Sequence, residues 1–255
     1  MYSCRIAVYA EQKTVQEKAC LLAEELSYPL ISELSETWDL LLLVNEEYLA
    51  LRDPHQQKQK PFWIDFGDKN LENRRLWSGK YKELLARAVG LPRINLKVFD
   101  ATAGFARESF LLAALGASVT AVERMPVLIA LIRDGIFRAK KNPELARIFE
   151  QKFHLISGDS RSILATLPPE ECPDVIYLDP MFPERKKSAL VKKEMRLLRL
   201  LNGFEESAEE LFLLACQKAR RRVVVKRPIH APPFKEKPSF SYTGEHTRFD
   251  LYVRF

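Results

Sequence analysis

The strongest constraint on the fold is a regular alternation of short apolar segments and helical segments that begins at residue 96. Alternation of this kind builds β–α–β units, in which parallel strands form one sheet between layers of helices. The predicted strands are 96–100, 118–123, 153–157, 173–178, 222–226 and 248–255. The predicted helices are 106–115, 127–140, 188–201 and 207–219. The sequence therefore predicts an α/β fold with a mostly parallel, doubly wound sheet and an antiparallel last strand.

The first seventy residues have a different pattern and predict a small α+β domain. Thr14 and Glu17 have the spacing of a capping box, which opens an amphipathic helix. The predicted strands are 3–9, a hairpin of 40–44 and 48–51, and 62–66. A helix over 72–89, closed by Gly90, follows. We therefore expect a domain over 1–70 and a larger domain over 71–255.

Composition and cysteine spacing bear on the partners, metal sites and cellular location that can be expected. The 40 basic residues exceed the 34 acidic ones and give a pI near 9.1, which is compatible with a nucleic-acid partner without requiring one. The four cysteines form no C-x-x-C pair, and the four histidines have no metal-ligand spacing. The longest apolar run is too short to cross a bilayer, and the N-terminal segment lacks the pattern of a signal peptide. We therefore expect a cytoplasmic protein without a metal or a membrane segment.

Acidic residues follow four of the predicted parallel strands. Asp100, Glu123 and Asp179 end their strands, and Asp159 follows the third strand after a glycine. Ligands of doubly wound folds bind beyond the carboxyl ends of the strands, where the strand order reverses. Carboxylates are also favoured at helix N-termini, which explains any single one of them without a ligand. Four carboxylates at the ends of neighbouring strands together predict a binding crevice.

The loop after the first of these strands distinguishes between cofactors. A dinucleotide site needs G-x-G-x-x-G, because a pyrophosphate binds bare backbone N–H groups, and here only Gly104 is present. Asp100 would repel a phosphate but suits the cationic amino-acid part of S-adenosylmethionine. Glu123 can accept hydrogen bonds from both ribose hydroxyls, although it would serve NAD equally well. Asp159 and Ser160 are candidates for holding the adenine edge.

The segment Asp179-Pro180-Met181-Phe182-Pro183 is the sharpest motif in the chain. An Asp/Asn-Pro-Pro-aromatic run is typical of methyltransferases that act on exocyclic amines of nucleobases. Such an amine is a poor nucleophile because its lone pair is delocalised into the ring, and a carboxylate that accepts its N–H groups favours a more tetrahedral nitrogen. Pro180 stiffens the loop, and Phe182 offers a surface on which a base can stack. Met181 replaces the second proline, so the match is imperfect.

Five segments of the chain are similar to one family. They are DATAGFARES, VTAVERMPVLIALIRDG, VIYLDPMFPERKKSALVKKEMR, RVVVKRP and HTRFDLYVRF. They resemble the bacterial ribosomal small-subunit RNA methyltransferase J family over about residues 60–255. The resemblance implies a Rossmann-like enzyme that uses S-adenosylmethionine to methylate the exocyclic N2 amine of a guanine in 16S rRNA. It also implies cofactor contacts at Arg107, Glu108, Glu123, Arg124, Asp159, Ser160 and Asp179.

Two positions and one four-residue segment depart from the usual family pattern. Glu108 stands where the family commonly has Asp, which is a conservative change. Ala106 stands where Gly is usual, and its methyl group would lie near the cofactor. A Gly-rich run is replaced by Trp77-Ser78-Gly79-Lys80.

Basic residues cluster around the motif and predict contacts to RNA. Phosphate contacts position a nucleic acid without reading its sequence. The candidates are Arg185, Lys186, Lys187, Lys192, Lys193, Lys226 and Arg227. The expected partner is 16S rRNA or the small ribosomal subunit. The alternatives are methylation of another nucleic acid such as adenine in DNA, a NAD-linked oxidoreductase, and an assembly factor that binds RNA without turnover.

Overall fold

The computed structural model describes residues 4–56, 58–78, 82–180, 193–202, 208–234 and 236–253. The chain divides into two compact units. The first comprises residues 1–65, 125–138 and 182–204, and the second comprises 66–124, 139–181 and 205–255. A compact unit is not by itself an independently folding domain, so the domains expected over 1–70 and 71–255 stay a prediction.

The first unit contains a four-stranded sheet in the order β2-β1-β3-β4. Its strands are β1 (Ile6–Ala10), β2 (Leu30–Ile31), β3 (Leu40–Val44) and β4 (Leu49–Arg52). Its helices are α1 (Gln16–Leu26), α5 (Pro126–Ala139) and α8 (Lys193–Asn202). Strands β3 and β4 are antiparallel, which confirms the predicted hairpin.

Two predictions for the first unit are wrong. The capping box does not form, because Thr14 lies inside a 3-10 turn (Lys13–Val15) and the N-cap of α1 is Val15, which makes no side-chain capping bond. The strand predicted over 62–66 is reduced to one bridge between Phe62 and Leu51. The carbonyl of Ile64 accepts from the Arg138 side chain.

The second unit contains a seven-stranded sheet in the order β10-β11-β9-β8-β5-β6-β7. Its strands are β5 (Lys97–Asp100), β6 (Ser118–Glu123), β7 (Phe153–Ser157), β8 (Val175–Leu178), β9 (Arg222–Pro228), β10 (Phe240–Thr243) and β11 (Thr247–Val253). Strands β5 to β9 pair in parallel, and β11 is antiparallel to β9. The α/β fold with an antiparallel last strand is confirmed, and β10 is an additional antiparallel strand at the edge.

The helices of the second unit differ from the prediction in two respects. They are α2 (Lys69–Asn73), α3 (Leu84–Val89), α4 (Arg107–Ala114), α6 (Pro143–Gln151), α7 (Ser160–Thr166) and α9 (Ala208–Lys218). The single helix predicted over 72–89 is wrong, because a π-helical turn (Arg74–Ser78) follows α2 and Glu83 has an extended backbone. Helices α6 and α7 were not predicted.

The core of the second unit fixes the helix that follows β5. Apolar side chains of β5, β8, β9 and α9 form one buried cluster under the centre of the sheet. Phe110 of α4 packs against Phe66 and Phe149, with ring centroids 5.1 and 5.2 Å apart.

In the parts of the chain that the structure describes, no helix combines the length and apolar character that a bilayer span requires.

Candidate active site

The strand register brings three of the predicted carboxylates to one edge of the sheet. Asp100 pairs with Ala121 of β6 and with Tyr177 of β8, its two neighbouring strands. Glu123 and Asp179 each lie two residues beyond those partners. The chain leaves β5 toward β6 and β7 and returns to β8 on the other side, so this edge is the switch point of the sheet.

Asp100 lies at the centre of this edge and is only 1% exposed. Its Oδ1 accepts from the Thr102 N–H at 3.1 Å, and its Oδ2 accepts from the Ser109 hydroxyl. Burial raises its pKa to about 7, although these two hydrogen bonds oppose the rise. Asp100 is therefore a carboxylate whose hydrogen bonds to the described residues come from neutral donors.

Glu123 holds the loop between β5 and α4. Its Oε2 accepts from the Gly104 N–H at 2.9 Å, and its Oε1 accepts from the Arg124 N–H at 2.8 Å. Gly104 has φ +56° and Ala106 has φ +57°, both in the left-handed region. Glu123 thus ties the loop after β5 to the residue that follows β6.

Thr102 joins the loop after β5 to the loop after β8. Its Oγ1 accepts from the Asp179 backbone N–H at 2.6 Å. Asp179 is therefore held at its backbone by one loop while its side chain extends into the site. Sequence analysis did not identify Thr102, although it lies inside the recognised DATAG segment.

Lys226 of β9 lies between two acidic side chains. Its Nζ is 2.7 Å from Asp179 Oδ2 and 3.5 Å from Glu108 Oε1. Although burial opposes the charged form of Lys226, the two carboxylates raise the pKa of its ammonium group. The structure thus places this predicted phosphate contact inside the site, with its charge balanced by two carboxylates.

Arg74 extends this cluster on the other side of Glu108. It donates to both carboxylate oxygens of Glu83, at 3.2 and 2.9 Å, and lies 3.8 Å from Glu108 Oε1. Burial raises the pKa of Glu108, but Lys226 and Arg74 outweigh it, so the net pKa is lowered. Arg74 was not among the predicted site residues.

Arg107 anchors α2 to the first turn of α4. It forms an ion pair with Asp68, which also caps α2 by accepting from the Asn70 and Leu71 N–H groups at 2.8 and 3.0 Å. The cofactor contact that the resemblance implies for Arg107 stays a prediction.

Asp159 and Ser160 begin α7 next to the loop after β5. Asp159 accepts from the Arg161 N–H at 2.8 Å and from its guanidinium at 2.7 Å, which lowers the pKa of the Asp159 carboxyl. The Ser160 hydroxyl donates to the Ala101 carbonyl at 2.7 Å. Both side chains thus have protein partners, and their predicted role at the adenine edge is untested.

The remaining predicted RNA contacts divide into two groups. Lys193 and Arg227 are described: Lys193 donates to the Lys60 carbonyl, while Arg227 is 5% exposed, donates to the Pro232 carbonyl at 2.6 Å and lies over the Phe234 ring. Four others, and the predicted stacking residue, lie outside the described residues: Arg185, Lys186, Lys187, Lys192 and Phe182.

The Tyr177 hydroxyl is a further polar group at this edge that sequence analysis missed. Its side chain is 1% exposed, and its oxygen has no hydrogen-bond partner among the residues that the structure describes. Burial raises its pKa, and Asp179, Glu108 and Asp100 add to the rise. A buried hydroxyl without a protein partner marks a position where a ligand or a water can bond.

These residues fit S-adenosylmethionine better than a dinucleotide. The donor set is rich in carboxylates, which suit a cationic amino-acid group and ribose hydroxyls. The loop after β5 carries a carboxylate where a pyrophosphate would need bare N–H groups. In the described ranges, no group of three or more His, Cys, Asp and Glu side chains could hold a metal ion.

Comparison with known proteins identifies the class. Residues 26–254 match the family model described as "Putative SAM-dependent methyltransferase". A crystal structure of a SAM-dependent methyltransferase from Neisseria gonorrhoeae is 32% identical, with a TM-score of 0.74 over 97% of this chain and 95% of that one. The chain is thus a member of a SAM-dependent methyltransferase family, and its cofactor is S-adenosylmethionine.

Two relatives of known name indicate a more specific family. Ribosomal RNA small subunit methyltransferase J of Thioalkalivibrio sulfidiphilus is 43% identical over 255 residues and 99% of both chains. The protein of the same name from Pseudoalteromonas atlantica is 44% identical over 219 residues, 84% of this chain and 85% of the relative. The chain belongs to the ribosomal RNA small subunit methyltransferase J family.

Proposed function

We propose that this protein transfers the methyl group of S-adenosylmethionine to the exocyclic N2 amine of a guanine in 16S rRNA. The observation that carries the proposal is the setting of Asp179, whose backbone is held by Thr102 and whose carboxylate is held by Lys226. The names of the relatives support small-subunit rRNA as the substrate. Because ribosomal RNA is a cytoplasmic substrate, we also propose that the protein works in the cytoplasm.

The proposed role of Asp179 is to accept a hydrogen bond from the guanine amine. This bond weakens the delocalisation of the nitrogen lone pair and aims it along the line of displacement. The cofactor supplies an electrophilic methyl group on a sulfonium centre. Attack by the nitrogen would break the carbon–sulfur bond, whose electron pair would stay on the sulfur of S-adenosylhomocysteine, and the methylated amine would release one proton to solvent. Pro180 stiffens the loop, and Phe182 is proposed to stack on the base.

We propose that the cofactor lies along the carboxyl edge of β5, β6 and β8. Asp100 would face its cationic amino-acid part, and Glu123 would accept from the ribose hydroxyls. Asp159 and Ser160 are proposed to border the adenine. Gly104, Arg107, Glu108, Arg124 and Asp179 complete the proposed set of cofactor contacts.

We propose that Arg185, Lys186 and Lys187 contact RNA phosphates, because they directly follow the loop that would receive the base. Lys192, Lys193 and Arg227 are further candidates. A variant with the run 185–187 changed to alanine should bind RNA more weakly and show a shallower salt dependence, by up to about three phosphate contacts. An unchanged slope would assign the run to a solvated surface.

The decisive test is methyl transfer to 16S rRNA from cells that lack this protein. With labelled S-adenosylmethionine and mass spectrometry of nucleosides, we expect one N2-methylguanosine per RNA. Asp179→Asn should slow single turnover by about 100-fold or more at saturating cofactor, with an unchanged circular dichroism spectrum. Methyladenosine as the product would indicate the alternative substrate, and RNA binding without transfer would indicate an assembly factor.

A further inference from the structure

We propose that Lys226 is a positioning residue that orients the Asp179 carboxylate toward the substrate amine and balances its charge. This inference rests on the proposed function, because Asp179 is the proposed acceptor. It assigns Lys226 a role inside the site in place of the phosphate contact that its position after a strand predicts.

The geometry of β8 and β9 supports this role. Leu178 pairs with Val225 in parallel register, so the next residues, Asp179 and Lys226, lie side by side. Asp179 directly follows β8, whereas Lys226 stays within β9 and pairs with Phe249 of β11. Lys226 Nζ donates to Asp179 Oδ2 at 2.7 Å, and only 24% of the Lys226 side chain is exposed. One oxygen of Asp179 is thereby fixed by an ammonium group from the neighbouring strand.

The backbone of Asp179 is fixed independently. Its N–H donates to Thr102 Oγ1 at 2.6 Å, so the loops after β5 and β8 are joined at this residue. A carboxylate held at its backbone by one strand and at one oxygen by another has few remaining orientations. Catalytic groups that are preset in this way lose little free energy on reorganisation.

The charges around Asp179 require a cation. Glu108 comes from α4 and Asp100 from β5, and the carboxylates of this group disfavour one another's ionised forms. The Tyr177 phenol of β8, whose pKa is raised, stays neutral and supplies no compensating charge. Burial raises the pKa of Asp179, Lys226 opposes this rise, and Glu108 adds to it. Without Lys226, Asp179 would take up a proton more readily and could no longer accept from an amine with that oxygen.

Arg74, the other cation beside Glu108, binds carboxylates other than that of Asp179. Arg74 makes two hydrogen bonds to Glu83 and approaches Glu108 at 3.8 Å. Among the described residues, Lys226 is the cation that contacts Asp179 directly. Its ammonium group also lies 3.5 Å from Glu108, so it links Asp179 to the first turn of α4.

The test measures the single-turnover rate against pH, at saturating cofactor and 16S rRNA, for the wild type, Lys226→Met and Lys226→Arg. Lys218→Met is the matched control, because Lys218 donates to the Ala165 and Leu167 carbonyls, 3.1 and 2.8 Å away. RNA affinity and its salt slope are measured in parallel. If Lys226→Met does not fold, Lys226→Gln replaces it.

We expect Lys226→Met to lower the rate at pH 7 by about 10- to 100-fold and to shift the acid limb of the profile upward. The shift should be about 1–3 pH units, the effect of an opposite charge at this distance on a carboxyl. Lys226→Arg should restore most of the rate and the profile. RNA affinity and its salt slope should stay at the wild-type values, and Lys218→Met should behave like the wild type.

Two outcomes would overturn the inference. One is an unchanged pH profile in Lys226→Met, and the other is an unchanged saturated rate with weaker RNA binding and a shallower salt slope. A readout without RNA separates this inference from the proposed function: the titration of Asp179, followed by carbon NMR of labelled aspartate. An upward shift in Lys226→Met supports the contact even if the wild type transfers no methyl to 16S rRNA, and no shift refutes it.

Discussion

Replacing Asp100 by Asn is expected to stabilise the cofactor-free protein at alkaline pH and to weaken its affinity for S-adenosylmethionine. Desolvation raises the pKa of Asp100 from 3.8 to about 7, with further contributions from Glu108 and Asp179. The folded protein therefore binds a proton that the unfolded chain has already released. The ionisation of buried Asp100 therefore destabilises the folded state progressively as pH rises from about 4 to about 7, and this destabilisation is constant above that range.

The size of this destabilisation follows from the difference between the pKa values of Asp100 in the unfolded and folded states. One unit of pKa difference corresponds to about 1.4 kcal/mol, so the ionised carboxylate costs up to about 4 kcal/mol above pH 7. Between pH 5 and pH 8, the unfolding free energy of Asp100→Asn should therefore rise by about 3 kcal/mol relative to the wild type. Asparagine can keep the bond that Oδ1 accepts from Thr102 and resembles the protonated acid in shape.

Urea unfolding at several pH values between 5 and 8, followed by circular dichroism, measures the effect. Asp250→Asn is the control, because Asp250 is equally buried but accepts from the Arg248 guanidinium at 2.8 and 3.0 Å. Removing a buried carboxylate that has a cation should destabilise the fold by about 3 kcal/mol. A difference between wild type and Asp100→Asn that does not change with pH would refute the assigned titration. Calorimetry should show cofactor affinity reduced by about 10- to 100-fold.

Three further predictions concern the loops of the site. Glu123→Ala should weaken S-adenosylmethionine binding by about 1.5–3 kcal/mol in calorimetry, and an unchanged affinity in a folded variant would remove Glu123 from the site. Thr102→Val should lower the unfolding free energy by about 1–3 kcal/mol and slow methyl transfer, since it leaves the Asp179 N–H without its acceptor, whereas Thr102→Ser should do neither. Ala106→Gly should raise the unfolding free energy by up to about 1 kcal/mol, because alanine is strained at φ +57°, and a loss of stability would contradict this.

The sequence could predict that the acidic residues meet at the carboxyl ends of the parallel strands, because this prediction needs few assumptions. Strand–helix alternation fixes parallel pairing, and parallel strands present their carboxyl ends at one edge. Asp100 and Glu123 are the last residues of their strands and Asp179 directly follows its strand, so small errors in strand length do not move them to another edge. The register of β5 with its two neighbours then confirms their common edge.

The contact between Lys226 and Asp179 could not be predicted in the same way. It depends on the register of β8 against β9, and a shift of one residue turns every side chain to the opposite face. The paired centres of the two strands, 175–178 and 223–225, are continuous apolar runs, so their patterns do not select one register. A basic residue at a strand end was therefore assigned to RNA, although the structure places it against a carboxylate.

The break in the helix predicted over 72–89 has a related cause. Apolar periodicity indicates a continuous helix, but it does not report the demands of charged side chains. Arg74 bonds to Glu83 and approaches Glu108, and the backbone changes from a π-helical turn to an extended residue between Arg74 and Leu84. The break is thus accompanied by charged contacts, to Glu83 of the same segment and to Glu108 of α4, that apolar periodicity cannot report.

The distribution of charge in the site indicates where the cofactor's positive charge belongs. Asp179 contacts Lys226, and Glu108 lies between Lys226 and Arg74, so each has a cation from the protein. The described donors to Asp100 are a hydroxyl and a backbone N–H, both neutral. Its raised pKa agrees with a buried carboxylate that has no cation bonded to it among the described residues. A cationic ligand at this edge would supply that partner and favour ionised Asp100, so cofactor binding should release up to one proton near pH 7, which calorimetry in buffers of different ionisation enthalpy can measure.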